Sequence, residues 1–322
     1  MGQANHDYDY GRQIIAMNLF PKMATGFEPA NKHSPAALNA IQPVLDEWKN
    51  TPGLGLEFTW MLLQLVGAMG VIPPFPIEAE AAHASWKTGT QDFLITPVAV
   101  EDGVHTVSKI ISLFNLPTAA DLAVAGVDHA RLGWTGVSAS IDNFLKGFVA
   151  LGVGKQSDWT PEKLEPLRAY LESLSAPKAV TAQDPIAVKA GEKVFASAGC
   201  GSCHNGPAFG GKKAYTFAEI GTDPAMAKWL DPDADGVPIK NPILQPGDKL
   251  TNGIKVPRLA GVWSAKRLLH NGSVDSLEAL LCLDSSRPTV TAVPWSDTGH
   301  TMGCNELTVT QKKDLIAYLR SL

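Results

Sequence analysis

The sequence predicts a mainly α-helical protein built from two tandem units of one helical pattern, residues 1–178 and 179–322. Three observations carry that expectation. Apolar stripes at helical spacing recur along the chain, most plainly in its last segment, LTVTQKKDLIAYLRSL. Glycine (29) and proline (23) are frequent enough to break the chain into short helices joined by loops. The chain also repeats itself. "LRAYLESL" (167–174) matches "LIAYLRSL" (315–322) at an offset of 148, "KIISLFNLPTA" (109–119) matches "KVPRLAGVWSA" (255–265) at 146, and "WTGVSASIDNFL" (134–145) matches "HNGSVDSLEALL" (270–281) at 136. Three matches in one order point to a duplicated fold. A length of 322 residues is also long for a single core.

Taken along the chain, the first stretch, MGQANHDYDYGRQ, lacks the basic start and apolar centre of a secretory signal. Phe58–Ile72 is the longest apolar run, yet at 15 residues it is too short to span a bilayer, so no transmembrane helix is expected and a buried or groove-lining helix is. His83, His105 and His129 read as ordinary surface or core histidines. Residues 175–186, SAPKAVTAQDPI, form the expected linker. DPIAVKAGEKVFASAG follows, with Ala187, Gly191, Val194 and Phe195 on one helical face. The loop DPDADG (231–236) opens like a calcium-binding loop, but its twelfth position is Pro242, where a bidentate carboxylate is needed. An Asp-rich turn is the default there, with calcium the alternative. Thr308 followed by Gln311 is a capping box that starts the last helix, whose stripe is Leu315, Tyr318, Leu319 and Leu322. A net charge of −5 offers no basic footprint for nucleic acid.

Chemistry is concentrated in "GCGSCHNGPAFGG" (199–211). Cys200-Gly-Ser-Cys203-His204 is the attachment pattern for haem c. Two thiols one helical turn apart can add to the two vinyl groups of the porphyrin, and the next residue then lies under the iron, making His204 the proximal ligand. A redox Cys-x-x-Cys would not need the histidine. A zinc site would need Cys282 and Cys304 to complete it from far downstream. For the opposite face of the iron the candidates are Met226, His270, His300 and Met302, and spacing alone does not choose among them. Maturation of haem c implies an exported, oxidising, periplasm-like compartment, in which Cys282 and Cys304 are expected to pair. The region of the first repeat equivalent to the motif, near residue 58, has no cysteine, so the N-terminal unit is expected to be haem-free, with the apolar run 58–72 filling the vacated space.

The helices flanking the motif resemble those of the cytochrome c family, which cross with a glycine and an aromatic at the contact. The resemblance implies two cytochrome c-like domains, with Gly191 and Phe195 packed on Leu315, Tyr318 and Leu319. KVPRLAGVWSAKRLLHNGSVDSLEALL (255–281), RP (287–288) and GHTMGCNELT (299–308) look like the C-terminal haem domain of the di-haem cytochrome c peroxidase superfamily, in particular the branch containing the rubber oxygenases. In the peroxidases a methionine in the helix after "LHNGSVxSLEALL" binds the iron, and LEALLCLDSS has none. In the rubber-oxygenase-like branch the histidine of a late "GH" takes the role, which implies His300 as distal ligand with Met302 as the alternative. It also implies that His270 shapes the haem surroundings without ligating, while Arg258 is a candidate partner for a haem propionate. The expected function is electron transfer through one haem per chain to a redox protein, such as a dehydrogenase or a membrane complex. The alternatives are a haem enzyme of the peroxidase or oxygenase type with an open iron site, and a haem subunit of a larger redox complex.

Overall fold

The computed structural model describes residues 6–9, 11, 12, 15, 19, 29–50, 77–92, 107–118, 132–151, 154–206, 208–210, 213–224, 244–248, 253–284, 287 and 298–322. The run 58–72, the loop 231–236, His105, His129 and Met226 lie outside these residues, and with them the expectations placed on them. The described chain is mainly helical. Its elements are α1 (Pro35–Asn50), α2 (Ile77–Ala84), β1 (Thr90–Asp92), β2 (Val107–Lys109), α3 (Ile141–Leu151), α4 (Pro161–Ser173), α5 (Pro185–Ser197), β3 (Ala214–Thr216), α6 (Phe217–Ile220), β4 (Gly253–Lys255), α7 (Leu277–Leu280) and α8 (Val309–Ser321). Among the described residues no helix is long and apolar enough to cross a membrane.

The crossing of α5 and α8 organises the C-terminal half. α5 starts where the Asp184 carboxylate accepts from the Ile186 amide at 2.9 Å, with Pro185 in the first turn, where its missing N–H costs nothing. α8 starts at the expected capping box, in which Thr308 and Gln311 satisfy each other's backbone amides. The two helices touch at Gly191. A Cβ there would collide with the Asp314 carbonyl and come within 2.7 Å of the Tyr318 Cβ, so only glycine allows this approach. Phe195 then meets the Tyr318 ring edge-on at 5.5 Å, and both join Leu315, Leu319, Leu268, Val274 and Leu281 in one core.

The repeats seen in the sequence are repeated in space. α4 and α8 have the same length and are offset by 148 residues at both ends. β2 and β4 are offset by 146, and Lys109 pairs with the first residue of β1 as Lys255 pairs with the first of β3. The isolated bridges Leu132–Ser138 and Leu268–Val274 are offset by 136, each turning on a glycine of positive φ, Gly136 at 69° and Gly272 at 74°. Each bridge is followed by a serine whose hydroxyl caps the next helix, Ser140 to the Asn143 amide and Ser276 to the Ala279 amide. Asn115 and Gly261, 146 apart, both take left-handed backbone, and each donates its amide to the residue ending the last helix of its half, Leu174 and Leu322.

The halves meet across a pseudo-twofold seam. The Lys109 amide donates to the His270 carbonyl at 2.7 Å, and the Lys255 amide donates to the Trp134 carbonyl at 2.8 Å. Lys109 and Lys255 are equivalent in the repeats, as are Trp134 and His270, so the two bonds are reciprocal. Arg258 crosses the same seam, donating from Nε to the Phe114 carbonyl at 2.8 Å and from Nη2 to the Ser112 carbonyl at 2.9 Å.

Candidate haem-binding site

Gly199, at φ 77°, ends α5 in the left-handed conformation and turns the chain into a single 3₁₀ turn, Cys200–Ser202. The His204 amide closes back on the Cys200 carbonyl at 2.9 Å. One turn therefore presents Cys200, Cys203 and His204, and both cysteines are half-buried free thiols. The His204 ring is oriented by Nδ1, 3.0 Å from the Phe209 carbonyl. A carbonyl can only accept, so this contact places the proton on Nδ1 and leaves the Nε2 lone pair free.

His300 reaches the same cavity from the loop before α8. Its φ of 49° follows Gly299 at 92°, a backbone path that costs about 1 kcal/mol or more for a residue with a side chain. Surrounding groups hold it there. The Arg287 guanidinium donates to the Gly299 carbonyl at 2.6 Å and to the Leu280 carbonyl at 2.8 Å. Cys282 and Cys304 form the expected disulfide, closing 22 residues with Cα atoms 5.0 Å apart. Lys312 of α8 donates to the carbonyls of Cys282 and Cys304 at 3.3 and 2.6 Å, fastening both ends of the bridge. The disulfide also removes Cys282 and Cys304 as zinc ligands, and among the described residues no cluster of three or more His, Cys, Asp or Glu side chains could hold a metal ion alone.

The rings of His204 and His300 stand with centroids 6.2 Å apart. Two imidazoles on one metal ion, each bound at about 2 Å, have ring centres about 6 Å apart, so the separation suits a single ion between them. Both are held in the neutral form that ligation requires. Burial lowers His204 to about 4, and the neighbouring His300 adds to the shift. Burial also lowers His300, whose Nδ1 is buried without a hydrogen-bond partner. Around the two rings lies a cavity of about 420 Å³, lined mainly by leucine, isoleucine, valine and aromatic side chains, with Cys200 and Cys203 on its wall. That volume lies in the range of cofactor pockets. The thiol pair, the two neighbouring imidazoles and the apolar lining fit a haem.

The other sequence candidates divide. Met302 lies at the rim of the cavity and is half exposed. His270 is buried with both ring nitrogens facing polar groups, Nε2 at 3.2 Å from an Asp223 carboxylate oxygen and Nδ1 at 3.5 Å from the Thr222 hydroxyl. Thr222 in turn donates to the Thr298 carbonyl at 2.9 Å and packs against Gly299, so this cluster braces the His300 loop. Arg258 lines the cavity while two of its nitrogens bind the N-terminal half. Sequence reasoning missed Arg287, Lys109, Lys255, Trp134 and Tyr215. Tyr215, hydrogen-bonded to the Cys203 thiol, is pushed up to about 12. The two lysines do leave a mark in the sequence, since Lys109 and Lys255 open the two matching repeat segments.

No family model matches the chain, and no curated protein matches it. Among solved structures it is similar to a chain of the hydrazine synthase of Kuenenia stuttgartiensis, with a TM-score of 0.41 and 16% identity over 78% of this chain and 82% of that one.

Proposed function

We propose that the chain is a c-type cytochrome that carries single electrons through one covalently attached, six-coordinate haem. The supporting observation is the pair of partly buried imidazoles of His204 and His300, their ring centres 6.2 Å apart in a largely apolar cavity whose wall bears the two thiols of the attachment motif. In this reading Cys200 and Cys203 would hold a haem through thioether links to its vinyl groups, and His204 and His300 would supply ligands to its iron. When bound, the haem supplies reversible one-electron ferric/ferrous chemistry. The chain excludes water with its leucine-rich lining and holds His300 through Arg287 and the disulfide. Two imidazoles set a lower potential than a histidine–methionine pair would.

The C-terminal domain, 179–322, carries the haem, and the N-terminal domain, 1–178, is a cytochrome c-like unit without one. The disulfide is of the kind that persists in oxidising compartments, which suits a periplasmic protein. The partner is a redox protein that docks near the haem edge, such as a dehydrogenase or membrane complex. Ultraviolet–visible spectra of the protein made with a working haem c maturation system test the reading. Low-spin spectra indifferent to carbon monoxide and peroxide are expected. A high-spin ferric spectrum that changes with peroxide would replace electron transfer with catalysis at an open iron site.

A further inference from the structure

Three cations gather where the two halves meet. Lys109 and Lys255 occupy equivalent repeat positions on the two sides of the seam, and Arg258 lies beside them. Lys255 is 7% exposed. Among the described residues no carboxylate pairs with any of the three. Lys109 donates from Nζ to the Arg267 carbonyl at 3.0 Å and lies 5.6 Å from the centre of the Trp134 ring, contacts that leave its charge unneutralised. Withdrawing an ammonium from water without an opposite charge costs several kcal/mol, and burial accordingly lowers Lys255 to about 7 and Lys109 to about 8.

All three cations line the cavity that holds Cys200, Cys203, His204 and His300. They also line a smaller adjoining pocket of about 70 Å³, into which His6 turns a ring whose buried Nδ1 has no hydrogen-bond partner. The apolar part of the cavity and its cationic end thus form one continuous wall. A planar apolar ligand with acidic groups on one edge matches that distribution, and a wholly apolar ligand would leave the cations unpaired.

We propose that Lys109 and Lys255, with Arg258, form a carboxylate-binding seat on the pseudo-twofold seam, and that it takes the propionate carboxylates of the haem. The inference rests on the haem reading above and adds to it. The haem-free half supplies one of the charges that neutralise the cofactor, so a haem attached only to the C-terminal half clamps both halves. Lys109 acts in this way although its own half holds no attachment motif.

The test uses the full-length protein made with haem labelled with ¹³C at the propionate carboxylates. Redox-induced infrared difference spectra are compared for the parent, Lys109→Gln, Lys255→Gln and the charge-conserving Lys255→Arg. A haem stain on a denaturing gel first reports covalent attachment. The expected result is attached haem in every form, labelled carboxylate bands shifted in both glutamine variants, and bands returned towards the parent in Lys255→Arg. Attached haem with labelled bands unmoved in both glutamine variants overturns the seat while leaving the haem reading intact. Unmoved bands together with a phosphate-dependent rise in melting temperature that Lys255→Gln abolishes would assign the cations to a free anion, and would also overturn the proposal. A chain without attached haem overturns both readings. Should Lys255→Gln fail to fold, Lys109→Gln, on the partly buried lysine, carries the same comparison.

Discussion

In the proposed reading, His300 is the residue on which the site's chemistry turns. It sits at positive φ, partly buried, with its ring centre 6.2 Å from that of His204, and it is held by Arg287 and the disulfide instead of by a helix. Its role follows from what its removal should do. His300→Ala is expected to leave the haem attached, turn the low-spin ferric spectrum high-spin, and let the ferrous form bind carbon monoxide, with added imidazole restoring the parent spectrum. His204 supports a second prediction, for the haem-free Cys200→Ala/Cys203→Ala chain. Burial lowers the folded-state value of His204 to about 4, against 6.5 for the unfolded chain. A depressed base contributes stability that is full above the unfolded value and is lost as pH falls towards the folded one. Urea unfolding at pH 5 should therefore give a stability roughly 2 kcal/mol below that at pH 7 from this group alone. Equal stabilities at the two values would show that the ring is not withdrawn from water.

At the scale of elements, the α5–α8 crossing depends on the absence of one side chain. Gly191→Val drives methyl groups into the Asp314 carbonyl, which belongs to the backbone and cannot yield without bending α8. A loss of about 3 kcal/mol is expected, read as a fall in melting temperature with the haem still attached, and an unchanged melting temperature would refute the packing described. The two helices were legible in the sequence, because helical stripes and the Thr308–Gln311 capping box are local signals, and their crossing was implied by the resemblance to the cytochrome c family. The disulfide was legible through compartment chemistry. The support of the His300 loop was not. Arg287 acts through carbonyls of Leu280 and Gly299, and backbone acceptors leave no mark in a sequence. Arg258 shows the same limit, since its side chain binds the Ser112 and Phe114 carbonyls of the other half, which no periodicity predicts.

Across the whole molecule, the matching elements of the two halves account for the seam. The reciprocal Lys109–His270 and Lys255–Trp134 bonds are what two repeats make when the strand-ending lysine of each meets the equivalent loop residue of the other. Arg258→Ala should loosen that seam by leaving two backbone carbonyls without donors, at a cost of about 1–3 kcal/mol. Faster proteolytic cleavage in 175–186, with the haem spectrum retained, is the expected readout, and an unaltered cleavage rate would contradict the account of the seam. The central claim is that one haem is bonded covalently to the second half and none to the first. A pyridine haemochrome assay on full-length protein after acid–acetone extraction measures it directly. The account predicts one haem per chain, all of it remaining with the polypeptide. No haem on the extracted chain, or a second equivalent that leaves with the solvent, would contradict it.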